Sequence, residues 1–347
     1  MGWRRGSLKS RVLLGPVLSL LLAFLVGAAF LTMAGLNPLR AYAAILEGPF
    51  GSWWGISETV VKATPLILTS LAVLLPARMQ LWNIGAEGQL HLGAIGATWV
   101  ALFFPFRERP FGMIPVMIVV GFIAGALWAG IPGVLRAYLN VNEVITTLML
   151  NYVALLWVDY LIYGPWKDPT SLGFPLTPTF PGSARFPAIP GTRIHLGLLL
   201  GLSAVLAVSL ILERTRWGFE IRVIGDNPSA ARYAGMNLAR NILLTMVVAG
   251  GLAGLAGVGE VAAIQGRLQR GISPGYGYTA ILVAWLARLN PWAAVLVSFL
   301  LGGLLLGGDS LQIALGVPVS VVYLLQGLIF FFVLGGDALM RLRGVVK

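Results

Sequence analysis

Long uninterrupted apolar runs dominate this sequence and most restrict what the chain can fold into. A membrane-spanning helix needs about 20 mostly apolar residues. Runs of that length lie near residues 12–34, 59–77, 111–135, 144–163, 194–212, 242–264 and 317–335. Charged residues make up only 11% of the 347 residues, whereas a soluble domain uses about 25%. The sequence therefore excludes a soluble enzyme and a disordered chain, and it predicts an all-α polytopic membrane protein.

Three further apolar segments are short or interrupted. They lie at 81–104, 276–287 and 292–307. Counting them gives about ten transmembrane helices in a single transmembrane domain over 1–347. Because the apolar core of a signal peptide has only about 7–15 residues, the longer run at 12–34 predicts a retained first span.

The chain is basic as well as apolar, with 24 Lys and Arg against 13 Asp and Glu and a net charge of +11. Cytoplasmic loops of membrane proteins accumulate Lys and Arg. Threading ten spans from a cytoplasmic N-terminus places most of these residues inside, so we expect both termini to be cytoplasmic. The charge then reports orientation in the lipid bilayer, and no nucleic-acid partner is needed to explain it.

Two loops are long enough to carry a function. The segment 164–193 holds seven of the twenty prolines and little charge, which favours an extended external loop. The segment 213–241 carries five arginines and is predicted to be cytoplasmic. Within it Asp226, Asn227 or Ser229 can cap a helix, Pro228 suits its first turn and Gly235 can end it. A short helix there suits a partner protein, and a basic linker lying on lipid headgroups explains the composition equally well.

Polar residues interrupt the apolar segment 81–104 at Asn83, Glu87 and Gln89. A carboxylate inside a span costs about 2.5–3.5 kcal/mol on an insertion scale, so Glu87 should face the protein interior or a water-filled cavity. A second Gly- and Pro-interrupted segment lies at 273–286. Two such broken segments in corresponding halves indicate a transport pathway, although helix caps at the membrane edge are the alternative. Asn151, inside its own span, must bond another helix or a solute.

Several kinds of chemistry are absent from the sequence. With no cysteine, disulfides and thiolate metal sites are excluded. There is no Gly-Lys pair and hence no P-loop for a nucleotide, and neither a Ser/His/Asp set nor a metal-ligand cluster is evident. We therefore expect no catalytic residues and no metal site. Four G-x-x-x-G pairs predict close helix packing: Gly121/Gly125, Gly197/Gly201, Gly250/Gly254 and Gly303/Gly307.

Four motifs occur together in a fixed order. They are N-I-G-A-E-G-Q at 83–89, N-E-V-I-T-T-L-M-L-N at 142–151, G-D-N-P-S-A-A-R-Y-A-G at 225–235, and Q-G-R followed by S-P-G-Y-G-Y at 265–278. From about residue 37 to 340 the chain resembles the permease subunits of prokaryotic ABC importers in the ribose and branched-chain amino acid permease superfamily. It is most similar to the branch that works with Bmp-type lipoproteins on nucleosides.

The resemblance implies the type II importer permease fold, in the prokaryotic cytoplasmic (inner) membrane. It implies a helix that couples to a cytoplasmic ABC ATPase, which would hold the ATP and Mg that this chain does not bind. The coupling residues would be Gly225, Asp226, Asn227, Pro228, Ala230, Ala231 and Gly235. The other implied partners are a second permease subunit, identical or related, and an external substrate-binding lipoprotein.

The function predicted from these features is the transmembrane subunit of an ATP-driven importer for a nucleoside or a similar small polar solute. Its substrate pathway residues are predicted to be Asn83, Glu87, Gln89 and Asn151. One alternative is an ABC permease for a simple sugar or a flavin-like solute. The other is an ion-coupled secondary transporter that uses Glu87 or Asp159 as its coupling carboxylate. Glu260 departs from the family pattern, and we expect it to pair with a basic residue such as Arg267 or to lie at the outer edge.

Overall fold

The computed structural model describes residues 21–104 and 110–342, and within them the chain forms helices and no β-strand. The helices are α1 (Leu21–Met33), α2 (Pro38–Phe50), α3 (Trp53–Ala77), α4 (Ala86–Phe103), α5 (Pro110–Leu139), α6 (Glu143–Tyr163), α7 (Leu196–Arg214), α8 (Arg216–Asp226), α9 (Pro228–Tyr233), α10 (Leu238–Gly259), α11 (Tyr276–Leu286), α12 (Pro291–Leu315) and α13 (Val319–Leu342). The start of the predicted first span and both chain termini lie outside these residues.

The helices confirm a multi-pass membrane protein. Within the described part of the chain, six helices are long and apolar enough to cross a membrane, or seven if the bent pair α1 and α2 forms one span. Each predicted apolar segment contains a helix, but α4 and α11 do not meet the length and composition of a full span. The count of about ten spans therefore stays a prediction.

Two compact units divide the chain. The first comprises residues up to Thr59 together with those from Gly303 onward. In it α1 and α2 meet at a bend of 119°, where Gly35 adopts φ +76° and Asn37 caps α2. Helix α2 was not predicted from the sequence. The core of this unit is aliphatic and consists of Leu31, Ala41, Ile45, Leu311, Val317, Val322 and Leu325.

The second unit comprises Val60–Gly302 and is organised around α4. Every residue of α4 is buried except Trp99 and Phe103. The helix packs against α5, α6, α10 and α11. Because α4 is rich in glycine and alanine, neighbouring backbones approach it closely, and a Cβ on Gly93 would collide with the backbone of Gly254.

Two of the four predicted glycine pairs, Gly121/Gly125 and Gly250/Gly254, lie at the crossing of α5 and α10, whereas a Cβ on Gly201 would meet its nearest atom at an ordinary 3.5 Å. A Cβ on Gly125 would collide with the carbonyl of Gly250, and a Cβ on Gly254 with that of Gly121. The two pairs therefore interlock, as small-residue pairs do when helix backbones pack tightly in membranes. The prediction of close packing at these four positions is confirmed.

The two long loops differ in regularity. Residues 164–193 are mostly irregular, with one short 3₁₀ turn at Gly182–Ala184, and Phe186 N–H donates to the carbonyl of Ala262 at 3.0 Å. The segment 213–241 is more helical than predicted, because α8 occupies 11 of its residues. Thr215 caps α8 by accepting a hydrogen bond from the N–H of Gly218 at 3.0 Å, a start signal that the many charges of the segment obscured.

Candidate functional site

The predicted break before α4 is present, and an amide pair holds it. The chain leaves α3 at Ala77 and does not become helical again until Ala86. Asn83 and Gln89 exchange two hydrogen bonds of 2.9 and 2.8 Å. Asn83 also donates to the carbonyl of Ala72 at 3.0 Å. Both side chains are buried, so their hydrogen bonds fix the non-helical segment against α3 and against the first turn of α4.

Glu87 lies where the first turns of two helices meet. Its Oε2 accepts a hydrogen bond of 2.7 Å from the backbone N–H of Gly277 in α11. A Cβ on Gly277 would collide with the backbone of Ala86 and Glu87, so only glycine permits this approach. The carboxylate is only 3% exposed. It is stabilised because it faces the positive N-terminal ends of both α4 and α11.

Asn151 joins a third helix to this junction. Its Oδ1 accepts from the N–H of Gly88 at 2.8 Å. Its Nδ2 donates to the carbonyl of Ile84 at 2.9 Å and to the hydroxyl of Tyr278 at 3.3 Å. Asn151 is fully buried. The predicted need for a hydrogen-bond partner is therefore met by other parts of the chain.

The structure thus brings all four predicted pathway residues into one cluster, which we call the buried polar network: Asn83, Glu87, Gln89 and Asn151. It lies at the junction of α4, α6 and α11. Its three amide groups are bonded to one another, to backbone groups or to Tyr278, and Oε2 of Glu87 is bonded to the Gly277 N–H, as buried polar groups generally are. Because all four side chains are buried, the network shapes the surrounding surface without forming much of it.

Two tyrosines beside the network have exposed side chains, and the sequence analysis did not select them. Tyr278, which bonds Asn151, is 38% exposed, and Tyr152, the next residue along α6, is 56% exposed. The Pro274-Gly275 break marks the start of α11 and so pointed towards Tyr278. Nothing in the sequence distinguished Tyr152 from tyrosines at a membrane interface.

A second polar cluster surrounds Glu260. This residue begins a π-helical turn, Glu260–Gln265, at the end of α10, and such turns are frequent at functional sites. Glu260 is 5% exposed. The basic residues whose charges act on it are Lys62 and Arg193. Arg267, the partner expected from the sequence, instead acts electrostatically on Asp168. The fold brings Lys62 and Arg193 to Glu260, although both are distant from it in the sequence.

His195 lies beside this cluster and caps α7. Its Nδ1 accepts a hydrogen bond from the N–H of Gly197 at 3.1 Å. Burial, reinforced by the positive charge of Arg193, lowers the pKa of His195 from 6.5 to about 4. The imidazole is therefore neutral near pH 7. Its role is structural, since an acceptor nitrogen is what the cap requires.

The other carboxylate considered for ion coupling, Asp159, is paired. Its Oδ2 lies 3.5 Å from Nη2 of Arg270. Within the described parts of the chain, no group of three His, Asp or Glu side chains could hold a metal ion. Both polar clusters join the ends of helices through buried polar contacts.

The predicted short helix in the 213–241 segment is present as α9. Asn227 caps it by accepting hydrogen bonds of 3.0 Å from the N–H groups of Ser229 and Ala230. The chain leaves the helix at Gly235, which adopts φ +77°. Ala231 is the one buried residue of α9, and Tyr233 is 94% exposed. The helix therefore projects from the surface of its unit.

Gly225, in the last turn of α8 just before this projecting helix, contacts the connection between α3 and α4. Gly225 packs on the carbonyl of Arg78, where a Cβ would collide. The Arg78 guanidinium in turn donates two hydrogen bonds, 3.1 and 2.7 Å long, to the carbonyl of Leu289 beyond α11. Arg78, which precedes the break before α4, thus contacts both Gly225 in α8 and Leu289, which follows α11.

Comparisons with known proteins identify related sequences. A family model described as the permease component of the branched-chain amino acid transport system matches residues 55–334. The chain is 38% identical to the glucose ABC transporter permease protein of Haloferax volcanii, covering 94% of this chain and 88% of that one. It is 34% identical to the guanosine ABC transporter permease protein of Bacillus subtilis, covering 96% and 97%.

A third relative is the nucleoside ABC transporter permease protein of Lactococcus lactis, which is 33% identical, with coverage of 94% of this chain and 91% of that one. No solved structure matches the chain.

Proposed function

The chain belongs to the family of branched-chain amino acid transport system permease components, and from that membership we propose that it carries nucleosides across the membrane as the transmembrane subunit of an ATP-driven importer. It is a permease subunit and not an enzyme, since ATP hydrolysis in ABC transporters takes place on a separate subunit. Family membership favours this function over an ion-coupled secondary transporter.

The observation that carries the proposal is the projecting helix α9. It has the capped, solvent-facing geometry that a docking helix needs, with Tyr233 and Arg232 exposed on it. We propose that α9, together with Gly225, Asp226 and Gly235, docks on a cytoplasmic ABC ATPase. That partner would hold the ATP and Mg.

The orientation follows from this docking. One span, α7, separates the segment 164–193 from the segment 213–241, so the two lie on opposite sides of the membrane. With α9 in the cytoplasm, the proline-rich loop is external and faces a substrate-binding lipoprotein. A retained first span and about ten spans in the type II importer fold would place both termini in the cytoplasm, at the prokaryotic inner membrane.

Movement of the ATPase would reach the membrane interior through Arg78. A shift of α9 displaces Gly225, which rests on the Arg78 carbonyl. Arg78 is also bonded to Leu289, at the end of α11. Because α11 begins against Glu87, the same shift changes how the first turns of α4 and α11 meet. We propose that this change opens and closes a solute pathway formed with a second permease subunit.

Nucleosides are the favoured solutes because two relatives with nearly complete coverage are described as guanosine and nucleoside permeases. Glucose is the second candidate, supported by the Haloferax relative. The two are separated by measuring uptake of radiolabelled guanosine and of radiolabelled glucose in cells that produce the complete transporter. ATP-dependent guanosine uptake is expected. Glucose uptake without guanosine uptake would reverse the assignment of the solute.

The coupling part of the proposal has its own test. Replacing Gly235 by valine forces a β-branched residue into a positive-φ conformation that it rarely adopts. We expect uptake to fall at least tenfold while the protein still assembles. Gly191→Val in the external loop, also at positive φ with open space around it, is the matched control and should transport normally. Full uptake by the Gly235 variant would contradict docking through α9.

A further inference from the structure

Tyr152 occupies an unusual depth for an exposed tyrosine. Helix α6 has 21 residues, which at 1.5 Å per residue is about the thickness of the hydrocarbon core. Tyr152 is the tenth of them, and its side chain is 56% exposed. Interfacial tyrosines lie near the ends of spans. Tyr152 is instead about 15 Å from either interface, half of the bilayer core.

A hydroxyl at that depth requires a polar or aqueous neighbour. The hydrocarbon core offers no hydrogen-bond partner, and the distance to the headgroups exceeds the length of a tyrosine side chain. The exposed face of α6 at this depth is therefore expected to face a water-filled pathway instead of lipid. Within the described part of the second unit, no other helix covers the Tyr152 side chain, which is 56% exposed.

Tyr278 supplies a second ring at the same place. It lies in the first turn of α11, is 38% exposed, and its hydroxyl accepts a hydrogen bond from Nδ2 of Asn151 at 3.3 Å. Because Asn151 immediately precedes Tyr152 in α6, this hydrogen bond brings Tyr278 to the same turn of α6 that carries Tyr152. Two neighbouring aromatic side chains thus cover the buried polar network.

The four side chains of the network beneath are at most 3% exposed, so they present almost no surface to a solute. What this surface presents outward is two aromatic rings and two hydroxyls. Flat π-surfaces stack on nucleobases without regard to base identity, and hydroxyls both donate and accept hydrogen bonds. That combination suits a solute with a planar base and a hydroxylated sugar.

We propose that Tyr152 and Tyr278 form the solute-contacting wall of the pathway, where the base of a nucleoside stacks during its passage. The inference rests on the proposed function and names residues for it. Asn151 is a positioning residue, because it holds the Tyr278 hydroxyl and contacts no solute itself. A second permease subunit would supply the facing wall.

The test measures uptake of radiolabelled guanosine by the complete transporter, with Tyr152 and Tyr278 each replaced by phenylalanine and by leucine. Phenylalanine keeps the stacking ring and should change KM less than threefold. Leucine removes it and should raise KM about tenfold, within the range that a stacking contact provides. Tyr163→Leu is the matched control, because Tyr163 lies on the same face of α6, is 55% exposed, and ends the helix.

The outcomes separate this inference from the proposed function. If the unmodified transporter does not take up guanosine, the proposed solute is wrong. If it does, and both leucine variants retain the normal KM, the inference is overturned. Assembly of each variant with its partner subunits is measured by size-exclusion chromatography. Leucine variants that lose uptake only because they no longer assemble would also overturn it, since the tyrosines would then belong to a subunit interface.

Discussion

The outward faces of α5 and α6 are both apolar by composition, and yet they differ in chemistry. Between Val119 and Val134 the exposed residues of α5 are all aliphatic, namely Val119, Ile123, Leu127, Ile131 and Val134, and its exposed tyrosine, Tyr138, lies in the last turn. They border a groove of about 710 Å³ between α5 and α10 that is lined by similar side chains. The exposed side of α6 has aliphatic residues as well, among them Ile145, Met149 and Leu156, but it differs by carrying Tyr152 at mid-depth, next to the buried polar network.

An exposed side chain in a membrane-spanning helix can therefore face either lipid or water. An aliphatic face such as that of α5 matches lipid tails and needs no further partner. A face with hydroxyls at the bilayer centre is costly in lipid, and polar groups inside a span mark pathways for solutes. We therefore assign α5 to the lipid-facing side and the junction of α6 with α11 to the pathway. The predictions below test that assignment.

The largest effect is expected from adding one methyl group to the pathway junction. Gly277→Ala places a Cβ against the backbone of Ala86 and Glu87, where nothing can move aside cheaply. Overpacking of this kind costs about 1–3 kcal/mol or more, and we expect guanosine uptake to fall at least a hundredfold. The measurement is uptake together with the thermal midpoint in detergent.

Gly130→Ala is the matched control on the lipid-facing side. A Cβ there meets only Val247, at an ordinary 3.6 Å. It should leave both uptake and the thermal midpoint unchanged. Equal effects of the two alanines would mean that the two regions do not differ in the way described.

A smaller loss is expected from Asn151→Leu, which keeps the volume and removes the hydrogen bonds. The Gly88 N–H and the Ile84 carbonyl then lose their partner. Each unpaired buried group costs about 1–3 kcal/mol. We expect a lower thermal midpoint and uptake reduced about tenfold or more. Met149→Leu, half exposed on the same helix, should behave as the unmodified protein.

A change at Arg78 should uncouple the pathway from ATP hydrolysis without unfolding the protein. Lysine cannot reproduce the two hydrogen bonds from one guanidinium to the Leu289 carbonyl. We expect Arg78→Lys to lower guanosine uptake per ATP hydrolysed severalfold. Arg288→Lys, exposed one residue before Leu289, is the control. Normal coupling in the Arg78 variant would show that the connection carries no movement.

The smallest effect near neutral pH concerns His195. Its pKa is about 4 in the folded protein because of burial and the charge of Arg193, whereas an exposed histidine in the unfolded chain has a pKa of 6.5. Between these values the unfolded chain binds more protons, so stability falls as the pH drops from about 6.5 to 4. The full loss is about 3 kcal/mol. His195→Asn keeps the cap and should flatten this dependence, measured as the thermal midpoint from pH 4.5 to 8.

An unchanged pH dependence in the asparagine variant would assign the effect to another group. At pH 7 and above both proteins should transport equally, since the imidazole is neutral there. Equal transport would show that the His195 cap of α7 affects stability and has no effect on the pathway.

Local signals in the sequence were sufficient for the broken helix and for α9. The glycines around Glu87 and the polar residues beside it marked the break before Ala86, and Asn227, Pro228 and Gly235 marked a short capped helix. These features depend on neighbouring residues, so a single sequence contains them. Helix α8 was missed because its arginines resemble a linker, although Ile221 and Ile224 are buried.

Features that depend on tertiary contacts were not predictable. The sequence could not show that Asn151 reaches Gly88, 63 residues away, or that Lys62 and Arg193 act on Glu260. Burial also depends on tertiary contacts, so the pathway residues predicted from the sequence were polar side chains that the fold buries. The rings that cover them became evident only when the exposed face of α6 was known.

Cysteine accessibility tests the central assignment most directly, and the chain contains no cysteine of its own. Tyr152→Cys, Tyr278→Cys and Leu127→Cys each place one thiol at an exposed position. The three positions lie in α6, α11 and α5, respectively. The complete transporter in membrane vesicles is treated with a charged, water-soluble thiol reagent. We predict labelling at positions 152 and 278, slowed by guanosine, and none at 127. Labelling at 127 as fast as at 152, or none at 152 and 278, would contradict the account.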